Sequence, residues 1–290
     1  MNSALHADYY ADDAVQETVD IVANEQIAQD TFRLRFRCPS MAKKLRPGQF
    51  LMVRLSHFDD PLIGRPLALY ETHDNPAGEP TDVDVVYIVK GKFTSRLQHF
   101  VEGQQVDVWG PLGNGFSPKS CDHLVMVAGG VGYTPFLAMT RQYLGGRYYG
   151  TDAARPTASS VTFCYGARTS ALLAGVDDFR AAGANVAIAT DDGTAGFHGL
   201  VTDRFRSVLD ELPENPRVVC CGPEPMMEAV AKIAEERQLD CEVSLETPMA
   251  CGIGICFSCV TKVWEGPDKW DYRRTCVEGP VFDAAQICWE

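Results

Sequence analysis

Short runs in which apolar and polar residues alternate fill the chain from residue 15 to about residue 115. Strict alternation over 31–37 is typical of a strand with one buried face. Turn-forming residues separate the runs, as at 47–48 and 74–80. The pattern predicts one helix, at 94–100, and strands at 15–22, 31–37, 49–55, 65–71, 83–89 and 105–109. Six short strands predict a small antiparallel β-barrel over 15–117, preceded by a flexible polar tail at 1–14.

The pattern changes near residue 123, where continuous apolar runs begin to alternate with amphipathic segments. Strands are predicted at 124–128, 161–165, 185–189, 217–221 and 242–245. Helices are predicted at 134–144, 169–182, 200–211 and 224–237. This alternation is typical of a doubly wound parallel α/β sheet. We therefore expect an α+β multidomain chain, with an α/β domain over 118–245 and a small module over 246–290 that leaves the sheet.

Size, charge and cysteine content narrow the class of protein. The length of 290 residues suits two domains and a small module. Acidic residues exceed basic ones by 39 to 26, for a net charge of −13, which argues against nucleic acid and anionic membranes as partners. The chain has eleven cysteines but no signal peptide and no apolar run long enough to span a membrane. We expect a location in a reducing cytoplasm.

Four cysteines near the end of the chain have the spacing Cys-x4-Cys-x2-Cys…Cys of a plant-type [2Fe–2S] site: Cys251, Cys256, Cys259 and Cys276. Gly252 and Gly254 can take the positive φ that a loop curled around a cluster needs. Structural zinc prefers paired Cys-x2-Cys units, and only Cys256 and Cys259 form one. A [2Fe–2S] cluster is therefore the expected occupant, with zinc or disulfides as the alternatives.

Four further segments carry candidate nucleotide-binding chemistry. Arg65, held by the adjacent Pro66, can direct two N–H groups to a diphosphate. Residues 91–95 turn through a glycine into a short helix with hydroxyl side chains, as a phosphate-binding segment does. A glycine-dense loop follows at 110–116, and a Gly-Gly-x-Gly turn at 129–132 joins a strand to a helix. That last turn is also explained by tight strand-to-helix packing alone.

In this order, and with the loops 129–135 and 221–226, these segments resemble the ferredoxin–NADP reductase superfamily. The resemblance implies FAD on the barrel, held by Arg65, Pro66, Leu67, Ala68, Gly91, Thr94 and Ser95. It also implies NAD on the α/β domain, bound by Gly129, Gly130, Gly132, Thr134, Gly222 and Pro223. Cys221 would then face the nicotinamide as the catalytic residue. Because no basic cluster accompanies Arg168, we expect NAD rather than NADP.

The short C-terminal module, together with 246–254, 276–282 and 110–116, resembles more closely the electron-transfer subunit of NAD-dependent dihydroorotate dehydrogenase. The resemblance implies a relay of electrons from an FMN-containing dihydroorotate dehydrogenase subunit to NAD, in a heterotetramer that serves pyrimidine biosynthesis. FAD converts between the electron pair of one hydride and the single electrons that a cluster accepts. Apolar residues near the cysteines (Ile253, Ile255 and Phe257) and the segment 281–289 would supply a docking face, or merely shield the cluster.

Three alternatives remain at this point. In the first, the chain is an FAD and [2Fe–2S] subunit of a sulfide dehydrogenase, transhydrogenase or hydrogenase. A second alternative is a redox sensor that binds NAD without turnover, and a third is a zinc-stabilised binding module.

Overall fold

The computed structural model describes residues 11–151, 154–212 and 215–289. Within them it confirms the expected architecture of an antiparallel barrel, a parallel α/β domain and a small C-terminal module. Residues 1–10 of the predicted tail lie outside the described ranges, and Ala11–Asp13 form a short 3-10 helix.

Between residues 15 and 112, six antiparallel strands close into a barrel in the order β1-β2-β5-β4-β3-β6. They are β1 (Val15–Ala28), β2 (Thr31–Arg37), β3 (Phe50–Leu55), β4 (Arg65–Asp74), β5 (Pro80–Ile88) and β6 (Gln105–Leu112). The alternation in β2 buries Leu34 and Phe36 completely inside the barrel. Two short helices, α1 (Pro39–Ala42) and α2 (Lys92–Leu97), lie between strands. Strand β1 runs six residues past its predicted end because polar residues that pair with β2 conceal its continuation.

The α/β domain is built around a sheet that is parallel except at one edge. Its parallel strands are β7 (Cys121–Gly129), β8 (Ala158–Ala167), β9 (Asn185–Thr190), β10 (Phe197–His198), β11 (Arg217–Cys221) and β12 (Cys241–Ser244). Its helices are α3 (Phe136–Tyr143), α4 (Val176–Ala181), α5 (Val201–Glu211) and α6 (Glu224–Glu236). No helix in the described ranges is long and apolar enough to cross a membrane.

Successive side chains of β7 face opposite layers, as a doubly wound sheet requires. Val125 and Val127 share a core with Phe205 of α5. Leu124 and Met126 share a second core with Phe136 of α3 and with Phe179 of α4. Both faces of the sheet are therefore covered, which explains the continuous apolar character of these strands.

One predicted helix, at 169–182, is wrong as a single element. The segment forms a 3-10 helix at Ser170–Leu172 and then α4. Leu173 is extended and Gly175 has a φ of +69°, so the helical path is broken between the two pieces. An added Cβ on Gly175 would lie 2.5 Å from the Tyr70 hydroxyl of the barrel. The break therefore lets the start of α4 approach β4.

The C-terminal module contains a hairpin and a strand that the hydrophobic pattern did not predict. The hairpin strands are β13 (Val260–Gly266) and β14 (Lys269–Arg274). Strand β15 (Val281–Asp283) then rejoins the α/β sheet, antiparallel to β12. The expectation that the chain leaves the sheet after β12 is thus incomplete, because the module returns to the sheet edge.

Candidate flavin, nucleotide and iron–sulfur sites

The four cysteines lie on one loop and on the segment after the hairpin. They form two pairs, Cys259 with Cys276 and Cys251 with Cys256. The sulfurs of Cys259 and Cys276 are 3.2 Å apart and both side chains are buried. Cys256 is hydrogen-bonded to Cys251 and to Ser258. No group of three or more His, Cys, Asp or Glu side chains in the described residues is gathered to hold a single metal ion. Two pairs of thiols nevertheless suit a cluster of two irons, in which each iron takes two thiolates.

The electrostatics of the thiols favour metal binding, which requires thiolates. Hydrogen bonds from Ser258 lower the pKa of Cys256 to about 6. Contact with Cys276 lowers the pKa of Cys259 to about 6, and the same contact raises the pKa of Cys276. Each pair therefore holds one thiol that is readily deprotonated.

The loop that carries the first three cysteines is held by polar contacts from two other segments. Trp109 of β6 donates its indole N–H to the carbonyl oxygen of Cys251 at 2.8 Å. Arg274 of β14 donates to the carbonyl oxygen of Gly254 at 3.1 Å. Gly252 has a φ of +74°, and a Cβ there would meet Met52 of the barrel at 2.7 Å. The glycine is therefore required both by backbone conformation and by close packing.

The cysteines pack directly on the flavin-type barrel. Cys259 and Cys276 belong to a core that also contains Phe50 and Met52 of β3. Strand β3 pairs with β4, where Phe50 lies opposite Ala68 and Met52 lies opposite Pro66. Only one strand thus separates the cysteines from the segment expected to hold FAD.

The expected FAD residues gather at the start of β4 and at α2. Arg65 is exposed and donates to the carbonyl oxygens of Ile63 and Gly64, at 2.9 and 3.0 Å. Its guanidinium lies 5.8 Å from the centre of the Phe93 ring, within the segment 91–95. Pro66, Leu67 and Ala68 are half-buried along β4. The Arg65 guanidinium and the glycine turn at 91–95 therefore lie close together, as binding of a diphosphate would require.

The hydroxyls of the segment 91–95 differ in their availability. Thr94 is buried, and its hydroxyl accepts from the Lys90 N–H at 2.7 Å and lies 3.4 Å from the carbonyl oxygen of Gly91. Ser95 is exposed. A Cβ on Gly91, whose φ is +87°, would have no neighbour within 4 Å. Thr94 thus fixes the turn, while Ser95 and the open face at Gly91 remain accessible to a phosphate.

The expected NAD residues lie where the parallel strands end, which is the usual ligand position in such sheets. Cys221 pairs with Ala128 at the carboxyl ends of β11 and β7. A Cβ on Gly129 would lie 2.6 Å from the sulfur of Met226. A Cβ on Gly132 would lie 2.3 Å from the carbonyl oxygen of Cys221. The two loops 129–132 and 221–223 therefore pack backbone against backbone, whereas Gly130 is exposed. Thr134 is buried and Pro223 is exposed in the same region.

Cys221 is a buried thiol rather than a thiolate. Burial raises its pKa well above the ordinary range, and the nearby Glu246 carboxylate adds to the effect. Partial burial also raises the pKa of Glu246 itself, although that residue is exposed to solvent. Cys221 is thus suited to pack against a nicotinamide ring and unsuited to nucleophilic attack.

Substitution of Gly132 tests the packing of this loop against the end of β11. Gly132→Ala places its methyl group against the Cys221 carbonyl, so we expect kcat/KM for NADH to fall at least about tenfold with FAD content unchanged. Gly78→Ala, in an exposed turn of the barrel outside the nucleotide sites, is the matched control, because its Cβ has no neighbour within 4 Å and costs only backbone strain at a φ of +81°. NADH oxidation with ferricyanide measures both variants, and equal activity in the two would contradict this placement of the loop.

Several residues that shape these sites were missed by sequence reasoning. They are Trp109, Glu246 and Arg274. A single tryptophan, glutamate or arginine in a strand or loop carries no spacing signal, since its partner lies far away in the chain. Trp109, for example, meets the cluster loop from a strand 142 residues earlier.

A closed barrel, a doubly wound domain and a four-cysteine module together define a flavin- and iron–sulfur-binding reductase of the ferredoxin–NADP reductase fold. Family models agree part by part. The model for an oxidoreductase FAD-binding domain matches residues 18–116, and that for an oxidoreductase NAD-binding domain matches residues 126–232. The model for the iron–sulfur cluster binding domain of dihydroorotate dehydrogenase B matches residues 246–288.

The curated relatives specify the family. The electron transfer subunit of dihydroorotate dehydrogenase B (NAD(+)) from Desulforamulus reducens is 32% identical over 271 residues, which is 93% of this chain and 97% of that protein. Its counterpart from Shouchella clausii is 34% identical over 275 residues, covering 94% and 98%. The chain therefore belongs to the family of dihydroorotate dehydrogenase B (NAD(+)) electron transfer subunits, as the resemblance in the sequence predicted.

Solved structures share the architecture. A structure of an NADH-dependent reduced ferredoxin–NADP oxidoreductase, described for flavin-based electron bifurcation, has a TM-score of 0.77 and 29% identity. It covers 93% of this chain and 90% of that chain. Phthalate dioxygenase reductase, at a TM-score of 0.58 and 19% identity, covers 90% of this chain and 94% of that chain. At that identity it supports the fold alone.

Proposed function

We propose that this protein relays electrons between NAD and a separate, FMN-containing dihydroorotate dehydrogenase subunit, through FAD and a [2Fe–2S] cluster, in pyrimidine biosynthesis. The observation that carries the proposal is the shared core of Cys259 and Cys276 with Phe50 and Met52 of β3. Strand β3 is the immediate neighbour of the β4 segment that suits FAD. This adjacency supports electron transfer between FAD and a cluster held on the same chain.

Each part of the chain has a limited task in this relay. Arg65 and the segment 91–95 would hold the FAD diphosphate, and the loops 129–132 and 221–223 would hold NAD. When bound, FAD supplies the conversion between the electron pair of one hydride and single electrons. The protein positions these groups, and no acid–base pair of its own is needed.

A docking surface for the partner extends from the cluster loop along the hairpin. Side chains alternate between faces along a strand, so Trp270 and Tyr272 share one face of β14 with Arg274. Trp264 joins this face because it pairs with Trp270 across the hairpin. Arg274 lies over the ring of Phe257, 5.2 Å from its centre. We call these exposed rings, Phe257, Trp264, Trp270 and Tyr272, the aromatic stripe.

The aromatic stripe suits a protein partner. Its rings are 43 to 62% exposed, and Ile255 beside Phe257 is 67% exposed. Exposed tryptophan and tyrosine side chains are typical anchors of protein interfaces. Because the hairpin connects Cys259 to Cys276, a partner bound to the stripe lies against the frame of the cluster. By analogy with the family, we infer that the complex is a heterotetramer.

Reconstitution tests the proposal. The purified holoprotein, mixed with the FMN-containing dihydroorotate dehydrogenase from the same source, should couple dihydroorotate oxidation to NAD reduction. Neither protein alone should do so. Trp264→Ala with Trp270→Ala should weaken complex formation by at least about tenfold while leaving NADH oxidation with ferricyanide unchanged. Phe197→Ala, which removes an exposed ring 39% accessible on the α/β domain, is the matched control. Turnover of dihydroorotate by this chain alone, or no complex with the partner, would contradict the proposal.

The 29% identity to the NADH-dependent reduced ferredoxin–NADP oxidoreductase favours a second candidate. In that case the chain would serve as the FAD and [2Fe–2S] subunit of a transhydrogenase complex. The reconstitution separates the two, because a transhydrogenase subunit would pass electrons between ferredoxin and pyridine nucleotides and would not bind dihydroorotate dehydrogenase.

A further inference from the structure

The glycine-dense loop 110–116 has no role in the sites described so far. It ends β6 of the barrel and begins the connection to β7 of the α/β domain. Gly113 has a φ of +79°, and a Cβ there would lie 2.5 Å from Pro280 and 2.9 Å from the carbonyl oxygen of Gly279. The loop therefore approaches the segment that follows the fourth cysteine at a distance that only glycine permits.

Asn114 makes three hydrogen bonds to that segment. Its backbone N–H donates to the carbonyl oxygen of Gly279 at 2.7 Å. Its side-chain Nδ2 donates to the carbonyl oxygen of Val281 at 2.7 Å, and its Oδ1 accepts from the Val281 N–H at 3.1 Å. One amide side chain thus satisfies both backbone groups of Val281, as the backbone of a neighbouring strand would.

Val281 is the first residue of β15, which pairs with β12 on its other side. Asn114 therefore closes the outer edge of the seven-stranded sheet formed by the described residues. Val281 is also only five residues from Cys276. The contact thereby fixes the backbone that leads directly from a cluster ligand.

The same network reaches the flavin strand. The buried Gln49 donates its side-chain N–H to the carbonyl oxygen of Gly113 at 2.8 Å. The backbone carbonyl oxygen of Gln49 accepts from the Leu69 N–H of β4 at 3.0 Å. Consecutive hydrogen bonds therefore run from β4 through Gln49 and the loop to Val281. The residues just after the loop are held to the α/β domain as well. The buried Arg217 of β11 donates to the carbonyl oxygens of Ser117 and Lys119, at 2.8 and 2.9 Å.

We propose that Asn114 is a positioning residue for electron transfer, which fixes the cluster-bearing segment against the flavin barrel through Val281. Electron transfer weakens steeply as two centres separate. A small displacement of the 276–281 segment therefore slows the step between FAD and the cluster without touching either group. This inference rests on the proposed relay, and it assigns a role to a residue that binds no cofactor.

Asn114→Ala in the holoprotein tests the inference. Two measurements are needed: anaerobic stopped-flow after mixing with NADH, and amide hydrogen exchange over the 277–283 segment. We expect reduction of FAD by NADH at the wild-type rate, a later cluster-reduction phase slowed at least about tenfold, and faster exchange of the Val281 amide. Iron and sulfide content should stay at the wild-type level.

Asn75→Ala is the matched control. The Asn75 side chain likewise makes two hydrogen bonds to backbone groups, but it accepts both, from the N–H groups of Ala77 and Glu79, within an exposed turn between β4 and β5. It should change neither phase. If Asn114→Ala fails to fold, Asn114→Asp replaces it, since that variant keeps the acceptor for the Val281 N–H and replaces the donor to the Val281 carbonyl with a carboxylate oxygen.

An unchanged cluster-reduction phase would overturn the positioning role, and so would equal slowing of both phases, because a merely structural residue affects them alike. A wild-type protein whose cluster is never reduced by NADH would reject the relay itself. That outcome is visible in the wild type alone, before any variant is compared.

Discussion

Replacing Cys276 with serine is expected to abolish the [2Fe–2S] cluster while FAD remains bound and reducible by NADH. Cys276 is fully buried and its sulfur lies 3.2 Å from that of Cys259. A serine hydroxyl is a much poorer ligand for iron than a thiolate, so one iron would lose half of its protein ligands. Visible absorption and electron paramagnetic resonance of the dithionite-reduced protein measure the cluster. Bleaching of the flavin absorption by NADH shows whether FAD is still bound and reduced.

Two control variants separate loss of a ligand from loss of packing. Cys38→Ser also changes a fully buried cysteine, but in the barrel, and it should retain the cluster. Cys288→Ser changes a half-exposed cysteine near the C-terminus whose backbone N–H bonds to the carbonyl oxygen of Lys262. A Cys276 variant with an unaltered cluster spectrum, combined with a Cys288 variant that loses it, would show that the fourth ligand is Cys288.

The fold was largely predictable because its hydrophobic patterns are local. In β2, Leu34 and Phe36 alternate with arginines, so a strand with one buried face is recognisable within a few residues. In β7, the run is continuously apolar because both of its faces are covered, and that is equally recognisable. The hairpin was missed because its strands carry charged residues and leave their tryptophans exposed. Strand β15 is only three residues long, and its pairing with β12 depends on a contact distant in the sequence.

The sites divide in the same way. The cysteine spacing and the glycine turns are local signals, so Cys251 and Gly132 could be proposed as site residues from the sequence alone. Residues whose role depends on tertiary contact gave no signal. Asn114 bonds to a residue 167 positions away, and Glu246 reaches Cys221 only because β11 and β12 are neighbours. No periodicity or spacing encodes such pairs.

The second large effect is expected from Arg65→Ala, which should release FAD. The guanidinium is exposed at the start of β4, above the Phe93 ring of the glycine turn. Among the described residues, its hydrogen bonds run from Nη1 to the carbonyl oxygens of Ile63 and Gly64, so Nη2 and Nε can bind a diphosphate. Hydrogen bonds to charged groups contribute about 1.5–3 kcal/mol, and their loss weakens FAD binding about 10- to 100-fold. Flavin retained after gel filtration, and the dissociation constant from fluorescence titration, measure the change.

Arg65→Lys and Arg37→Ala complete this experiment. Lysine keeps the charge but lacks the planar pair of donors, so it should restore part of the affinity. Arg37 is an exposed barrel arginine that pairs with Asp82 on β5, and its removal should leave FAD binding unchanged. The thermal midpoint of the flavin-free protein distinguishes a damaged barrel from a lost ligand contact. Added FAD should raise the midpoint of the wild type and of Arg37→Ala more than that of Arg65→Ala, because only a ligand bound to the folded state stabilises it. Full flavin in Arg65→Ala, at an unchanged midpoint, would place the diphosphate elsewhere on the barrel.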